Sequence, residues 1–272
     1  MTKMSKEQLA YYKENGYIFP DFKLPDDLTH RLQSGIDSAI QRLGDKFKPE
    51  DIPNPHFLDF SSEGVSNPFM EVASHPGILD LVEQIIGPDI ILWIARVFCK
   101  PSITGREVPW HQDGEYWPMR PLETCTIWIA LDEVTTKNGC MRFIPGSHDA
   151  GLYRHHMSDR KDLVLNLELD DDQFDESKAV NVELAPGAIS MHHVKIIHGS
   201  HANTSASRRA ALVLRYMPAS SHYDRSLVNH DRFKSPFNLT EQPLMLMRGS
   251  DVSGKNDLVS HHDYWKERYS KV

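Results

Sequence analysis

Hydrophobic positions along this chain change period once, and the change divides the predicted helices from the predicted strands. Ser5 followed by Gln8 forms a capping-box pattern ahead of Leu9 and Tyr12, which predicts a short helix ending near Gly16. YIFPDF then reads as extended. After Pro25, the residues Leu28, Leu32, Ile36, Ile40 and Leu43 recur every three to four positions, an apolar stripe that predicts a second helix with Gly44 as its stop. Residues 45–68 are rich in Pro, Ser and Asn and predict a long ordered loop or lid anchored by His56, Phe57, Leu58 and Phe60. Ile78 to Ile86 reads as another helix, stopped by Gly87 and Pro88.

From about residue 90 the period shortens. IILWIARVF, CTIWIALDEV, CMRFIPG, AVNVELA, AISMHHV and RAALVLRYM are short runs dominated by β-branched and aromatic residues. Gly139, Pro145–Gly146 and Pro186–Gly187 punctuate them as turns, and the acidic stretch 168–177 reads as a solvated loop. Strands following N-terminal helices predict a mostly β sandwich or jelly roll with helices packed outside one sheet. No linker or internal repeat divides the chain. The expectation is one domain over 1–272: helices and lid in 1–89, a strand core in 90–218, and a polar extension over 219–272.

Composition narrows the partners. The 272 residues are 40% hydrophobic and carry a formal charge of −8, enough for a substantial core and a poor footprint for nucleic acid. Cys99, Cys125 and Cys140 are odd in number and widely spaced, which argues against a disulfide framework or zinc ribbon. The first residues lack a secretory apolar stretch, and no run approaches the roughly 18 apolar residues of a membrane helix. The expected location is the cytoplasm and the expected partner a small molecule.

The strongest local chemistry lies in Trp110-His111-Gln112-Asp113-Gly114. In an extended segment His111 and Asp113 point to one side and Gln112 to the other. A third ligand has to come from another strand, and His198 in KIIHGS is the best placed. Two imidazoles and one carboxylate leave three metal positions open, the arrangement of non-haem iron(II) oxygenases: two sites for a bidentate 2-oxoacid and one for O2. Arg209 offers a planar fork for the far carboxylate of such a cosubstrate. Arg209 and Arg215 share a strand parity, whereas Arg208 points oppositely toward solvent.

These motifs carry a resemblance. WHQDGEYWPMRP (110–121), TIWIALDEVTTKNGCMRFIPGSH (126–148), LAPGAISMHHVKIIHGSHANTSASRRAAL (184–212) and YYKENGYI resemble the phytanoyl-CoA dioxygenase family over roughly residues 5–218. The resemblance implies a double-stranded β-helix (a cupin-like jelly roll) with iron(II) held by His111, Asp113 and His198. It implies 2-oxoglutarate as cosubstrate, with O2, and Arg209 on its far carboxylate. It also places Lys100, Trp128 and Ser200 near the cosubstrate; by themselves these read as a surface lysine, a core aromatic and a turn residue. Related halogenating enzymes lack the metal carboxylate, so Asp113 favours hydroxylation, with demethylation or desaturation chemically compatible.

For the substrate pocket the residues suggest Tyr116 and Trp117 as aromatic walls and Arg96, Arg215, His192 and His193 as polar groups. The favoured substrate is a small polar or zwitterionic metabolite such as an amino acid, betaine or aminophosphonate. The alternatives are a fatty acyl-CoA or natural-product hydroxylase, an inactive jelly-roll binding protein, and a cupin-type metal isomerase or hydrolase.

Overall fold

A computed structural model describes residues 2–43, 51–60, 64–228 and 239–260. Ser5 and Gln8 form the predicted capping box: the Ser5 hydroxyl accepts from the Gln8 amide, and the Gln8 side chain accepts from the Ser5 amide. They open α1 (Lys6–Asn15), which ends at Gly16 in a left-handed conformation, φ 78°. A Cβ on Gly16 would come within 2.6 Å of the His148 ring, so sterics and backbone both demand glycine there. Only Tyr17–Ile18 of the predicted extended piece forms a strand, β1. The stripe of Leu28, Leu32 and Ile36 is buried along α2 (Asp26–Leu43), while the expected stop at Gly44 lies outside the described residues.

The 45–68 segment needs correcting where it is described. Its 51–60 part is built into the body of the protein: β2 (Asp51–Pro53) pairs with the next strand, and Phe57 and Phe60 are buried in the helix-side core. A short helix missed by periodicity, α3 (Pro68–Ala73), follows, its first amides capped by the Asn67 side chain. It is too short to display an apolar stripe. α4 (Pro76–Ile86) completes the helical layer.

The strands continue as β3 (Ile90–Lys100), β4 (Val108–His111), β5 (Met119–Arg120), β6 (Cys125–Ala130), β7 (Met141–Phe143), β8 (His155–Met157), β9 (Leu167–Leu169), β10 (Val180–Val182), β11 (Ile189–His193), β12 (His198–Ser200), β13 (Arg209–Pro218), β14 (His222–Tyr223) and β15 (Met245–Arg248). The larger sheet runs β1-β11-β6-β13-β3-β15, with β2 also on β3, and the smaller runs β10-β7-β12-β4. Every pairing within them is antiparallel. The protein is therefore mostly β, a jelly roll with helices against one sheet.

Two details depart from expectation. The acidic stretch begins inside β9, with Leu169 buried, before its exposed turns. The polar tail returns to the larger sheet as β15, against Ile90–Leu92. No helix among the described residues is long and apolar enough to cross a membrane.

Strand alternation divides the interior into two layers. Ile127, Ile129, Leu212 and Leu214 face the helices with Leu28, Leu32 and Ile36. Their neighbours Trp128, Ala130, Ala211 and Val213 face the smaller sheet with Phe143 and Val182. Polar residues that share the second parity are thereby delivered between the sheets.

Candidate active site

β4 ends at His111, Gln112 stays extended (φ −119°, ψ 127°), and Asp113 opens a tight turn. His111 and Asp113 consequently lie on one side, their nearest nitrogen and oxygen 3.8 Å apart. β12 runs antiparallel to β4 with His198 as the register partner of His111, and the two rings are 4.1 Å apart between centroids. One ligand atom from each of the three residues lies within 4.8 Å of the others, and all three residues are buried.

The protonation states suit a divalent metal. Nδ1 of His111 lies 2.8 Å from the Pro109 carbonyl and Nδ1 of His198 3.1 Å from the Ile196 carbonyl. A carbonyl can only accept, so each Nδ1 carries the hydrogen and each Nε2 keeps its lone pair for the site. Burial, reinforced by the facing His198, pushes His111 down to about 3. Burial alone would raise the Asp113 carboxyl, but Arg215 and the surrounding imidazoles hold it at about 2. Two neutral imidazoles and a carboxylate are the donors a bound iron(II) needs.

Gln112 points away from the metal side, as alternation requires, into a buried clamp. Its side-chain amide donates to the carbonyls of Gly151 (2.8 Å) and Lys195 (2.6 Å), and its oxygen accepts from the Tyr153 amide. Its backbone amide donates to Nε2 of His155, 3.0 Å away. The peptide linking two donors is thus fixed from both sides. Sequence reading missed His155, because a histidine in a turn-rich segment carries no spacing signal.

The inner face of the larger sheet forms the rest of the site. Register pairs Arg209 with Lys100, Val213 with Arg96 and Trp128, Ser190 with Trp128, and both Arg215 and His192 with Thr126. Between the sheets lies a cavity of about 210 Å³, with the His111, Asp113 and His198 cluster on its wall. Thr126 Oγ1, Ser190 Oγ, His192 Nδ1 and the Nε atoms of Arg209 and Arg215 are all buried without a hydrogen-bond partner among the described residues. Of these, His192, Arg209 and Arg215 line the cavity, where unpartnered polar side chains suit polar ligands.

At one end Arg209 is 4% exposed, its guanidinium 5.5 Å from the Trp128 ring centre, and among the described residues it has no ion-pair partner. Burial lowers it to about 10, so it stays a cation at neutral pH. Lys100, buried rather than a surface residue, donates to the carbonyls of Ser200 (3.3 Å) and His201. Burial and the neighbouring Arg209 push its amine down to about 6. Arg209, Lys100, Trp128 and Ser200 therefore line the same cavity. A buried lone cation is costly until an anion joins it.

Tyr116, Trp117, Arg96, Arg215 and His192 line the cavity too. Arg96 is not a lone cation: Asp51 on β2 grips it with two parallel bonds. His193 has to be corrected. As the next residue of β11 it turns away from the cavity and packs beside His148, ring centroids 5.2 Å apart. Arg208 does point opposite to Arg209, but onto Asp132 and Asp37 rather than into free solvent. Asp51 and Val164 to Asn166 also line the cavity and carried no sequence signal, since neither segment shows alternation long enough to read.

Comparison with known proteins bears on the family and the fold. Residues 12–211 match the family model described as phytanoyl-CoA dioxygenase. A probable phytanoyl-CoA dioxygenase of Caenorhabditis elegans is 26% identical over 78% of this chain and 75% of its own length. An L-proline trans-4-hydroxylase of Streptomyces griseoviridis is 31% identical over 52% of this chain and 59% of its own. Among solved structures, EctD from S. alaskensis with 2-oxoglutarate and 5-hydroxyectoine superposes with a TM-score of 0.71 at 20% identity, covering 94% of this chain and 89% of that one. That superposition shows a shared fold.

Proposed function

This chain belongs to the phytanoyl-CoA dioxygenase family, non-haem iron enzymes that use 2-oxoglutarate, and from that premise we propose that it hydroxylates a C–H bond of a small polar or zwitterionic metabolite. The net reaction converts substrate, 2-oxoglutarate and O2 into an alcohol, succinate and CO2. Bound iron(II) supplies the activation of O2. His111, Asp113 and His198 hold it in this reading, with Gln112 fixing the turn between the first two. Arg209 pairs with the far carboxylate of 2-oxoglutarate, supported by Lys100, Trp128 and Ser200. Asp113 would serve as the metal's carboxylate donor, where a halogenating enzyme lacks one, and this favours hydroxylation.

The single observation that carries the substrate class is the make-up of the cavity away from Arg209. Arg96, Asp51 and Arg215 stand there among Trp93, Phe98, Tyr116 and Trp117. An alkyl chain packed against those charges would strip their water without replacing it, at a cost of several kcal/mol. A small charged molecule replaces that water with ion pairs, while the aromatic walls exclude bulk solvent and orient the target carbon. The proline-hydroxylating relative shows that such substrates occur among similar proteins.

The test is succinate formation across a panel of amino acids, betaines, aminophosphonates and acyl-CoA thioesters, with metal-free protein as control. Iron-dependent stimulation by a small charged compound is the expected result. Stimulation by acyl-CoA alone would overturn the substrate class, and no iron-dependent succinate at all would indicate a binding protein or a different metal chemistry.

A further inference from the structure

Beyond Arg209, the inner face of the larger sheet holds a second pair of cations. Arg96 on β3 and Arg215 on β13 both reach the Phe98 ring, their guanidinium carbons 4.9 and 5.7 Å from its centre. Arg215 also lies 5.1 Å from the Trp117 ring centre. It is 7% exposed, its Nε has no hydrogen-bond partner among the described residues, and its contact with Asp113 Oδ2 is 3.4 Å, long for a charge-assisted bond. Arg96 is held differently. Asp51, the register partner of Phe98, enters on β2 and takes both Nε and a terminal nitrogen of Arg96, Nε at 2.8 Å.

Asp51 grips Arg96 closely, whereas the acid beside Arg215 among the described residues is Asp113 at 3.4 Å. Asp113 would also serve a metal in the proposed function, which leaves Arg215 the more weakly paired of the two cations. Two guanidiniums over one ring also repel each other, and an anion placed with both relieves the repulsion. Their flat forks match a carboxylate or a phosphonate rather than a hydroxyl or an amine.

We propose that Arg96 and Arg215 form a cradle for an oxyanionic head group of the substrate, with Asp51 as the positioning residue that sets the plane of Arg96. This rests on the reading of the cavity as the substrate site of a 2-oxoglutarate oxygenase, and it narrows the substrate to a small metabolite bearing a carboxylate or phosphonate. Neither neutral nor purely cationic molecules satisfy the cradle.

Calorimetric titration of the full chain, loaded with iron(II) and saturating 2-oxoglutarate without oxygen, tests it with four matched probes: butyrate, propylphosphonate, butylamine and butanol. At least one oxyanion should bind roughly tenfold or more tighter than the amine and the alcohol. Arg215→Met and Arg96→Met should each remove most of that advantage. Asp51→Asn should weaken oxyanion binding, although deleting a nearby negative charge would by itself strengthen it. That sign separates positioning from field. Arg215→Lys, which keeps the charge and loses the fork, should also bind less tightly and serves if a larger change disturbs folding, as read by circular dichroism. Oxyanions that bind no better than butanol, or tighter binding in Asp51→Asn, overturn the proposal. Failure of the wild type to bind 2-oxoglutarate with the metal would instead overturn the functional reading beneath it.

Discussion

His111 and His198 are register partners on β4 and β12, and each ring is tied through Nδ1 to a backbone carbonyl two residues before it. The same local bond on two antiparallel strands turns both Nε2 atoms toward one point. Histidine would otherwise spend free energy on choosing a tautomer and a ring orientation when metal binds. Here the backbone has already made both choices.

Loss of any donor should therefore end catalysis without ending folding. His111→Ala, Asp113→Ala and His198→Ala are each expected to abolish iron-dependent succinate formation while far-ultraviolet circular dichroism stays unchanged. Asp113→Ala should also cost stability in the metal-free protein, on the order of 3 kcal/mol in urea melts, because it leaves buried Arg215 without its acid neighbour. Full turnover in any of the three would remove that residue from the metal site.

Arg209 should act on the cosubstrate alone. Arg209→Ala is expected to raise the 2-oxoglutarate requirement about thirtyfold or more, from the 2 kcal/mol or more that a buried charge pair contributes. Saturation curves for succinate formation measure it. An unchanged curve would mean that the cosubstrate sits elsewhere.

Gln112 offers a test of how rigid the donor turn must be. Gln112→Ala removes three hydrogen bonds to Gly151, Tyr153 and Lys195 while leaving every donor in place. Metal affinity should fall about 10- to 100-fold. Equilibrium binding of iron(II) or manganese(II) would show it, and undiminished affinity would reduce the clamp to packing.

His193 gives the protein a pH-dependent stability unrelated to the metal. Burial, with His148 and Lys195 beside it, pushes its ring from the ordinary 6.5 down to about 4. Between those values the unfolded chain binds a proton that the folded chain refuses. Stability should fall as pH drops through that window and be unaffected by this group above it. His193→Gln should flatten the decline by about 2–3 kcal/mol, as read from urea melts at pH 7 and pH 4.5.

Local order was largely written in the sequence. The capping box of Ser5 and Gln8, the stripe of α2 and the alternation of β3, β6, β11 and β13 follow from side-chain period and backbone geometry, which act over a few residues. The opposed directions of Arg208 and Arg209 and of Gln112 against its neighbours follow from the same rule. Parity says that two residues face opposite ways, but not which of them faces inward, so His192 and His193 could not be told apart until β11 was seated between β1 and β6. Tertiary structure alone decided the meeting of His111 with His198, the arrival of Asp51 beside Arg96 and the clamp of His155 on Gln112. Those contacts join distant segments, and their geometry is set by strand register and by the closing of two sheets on each other, neither of which leaves a periodic mark on the chain.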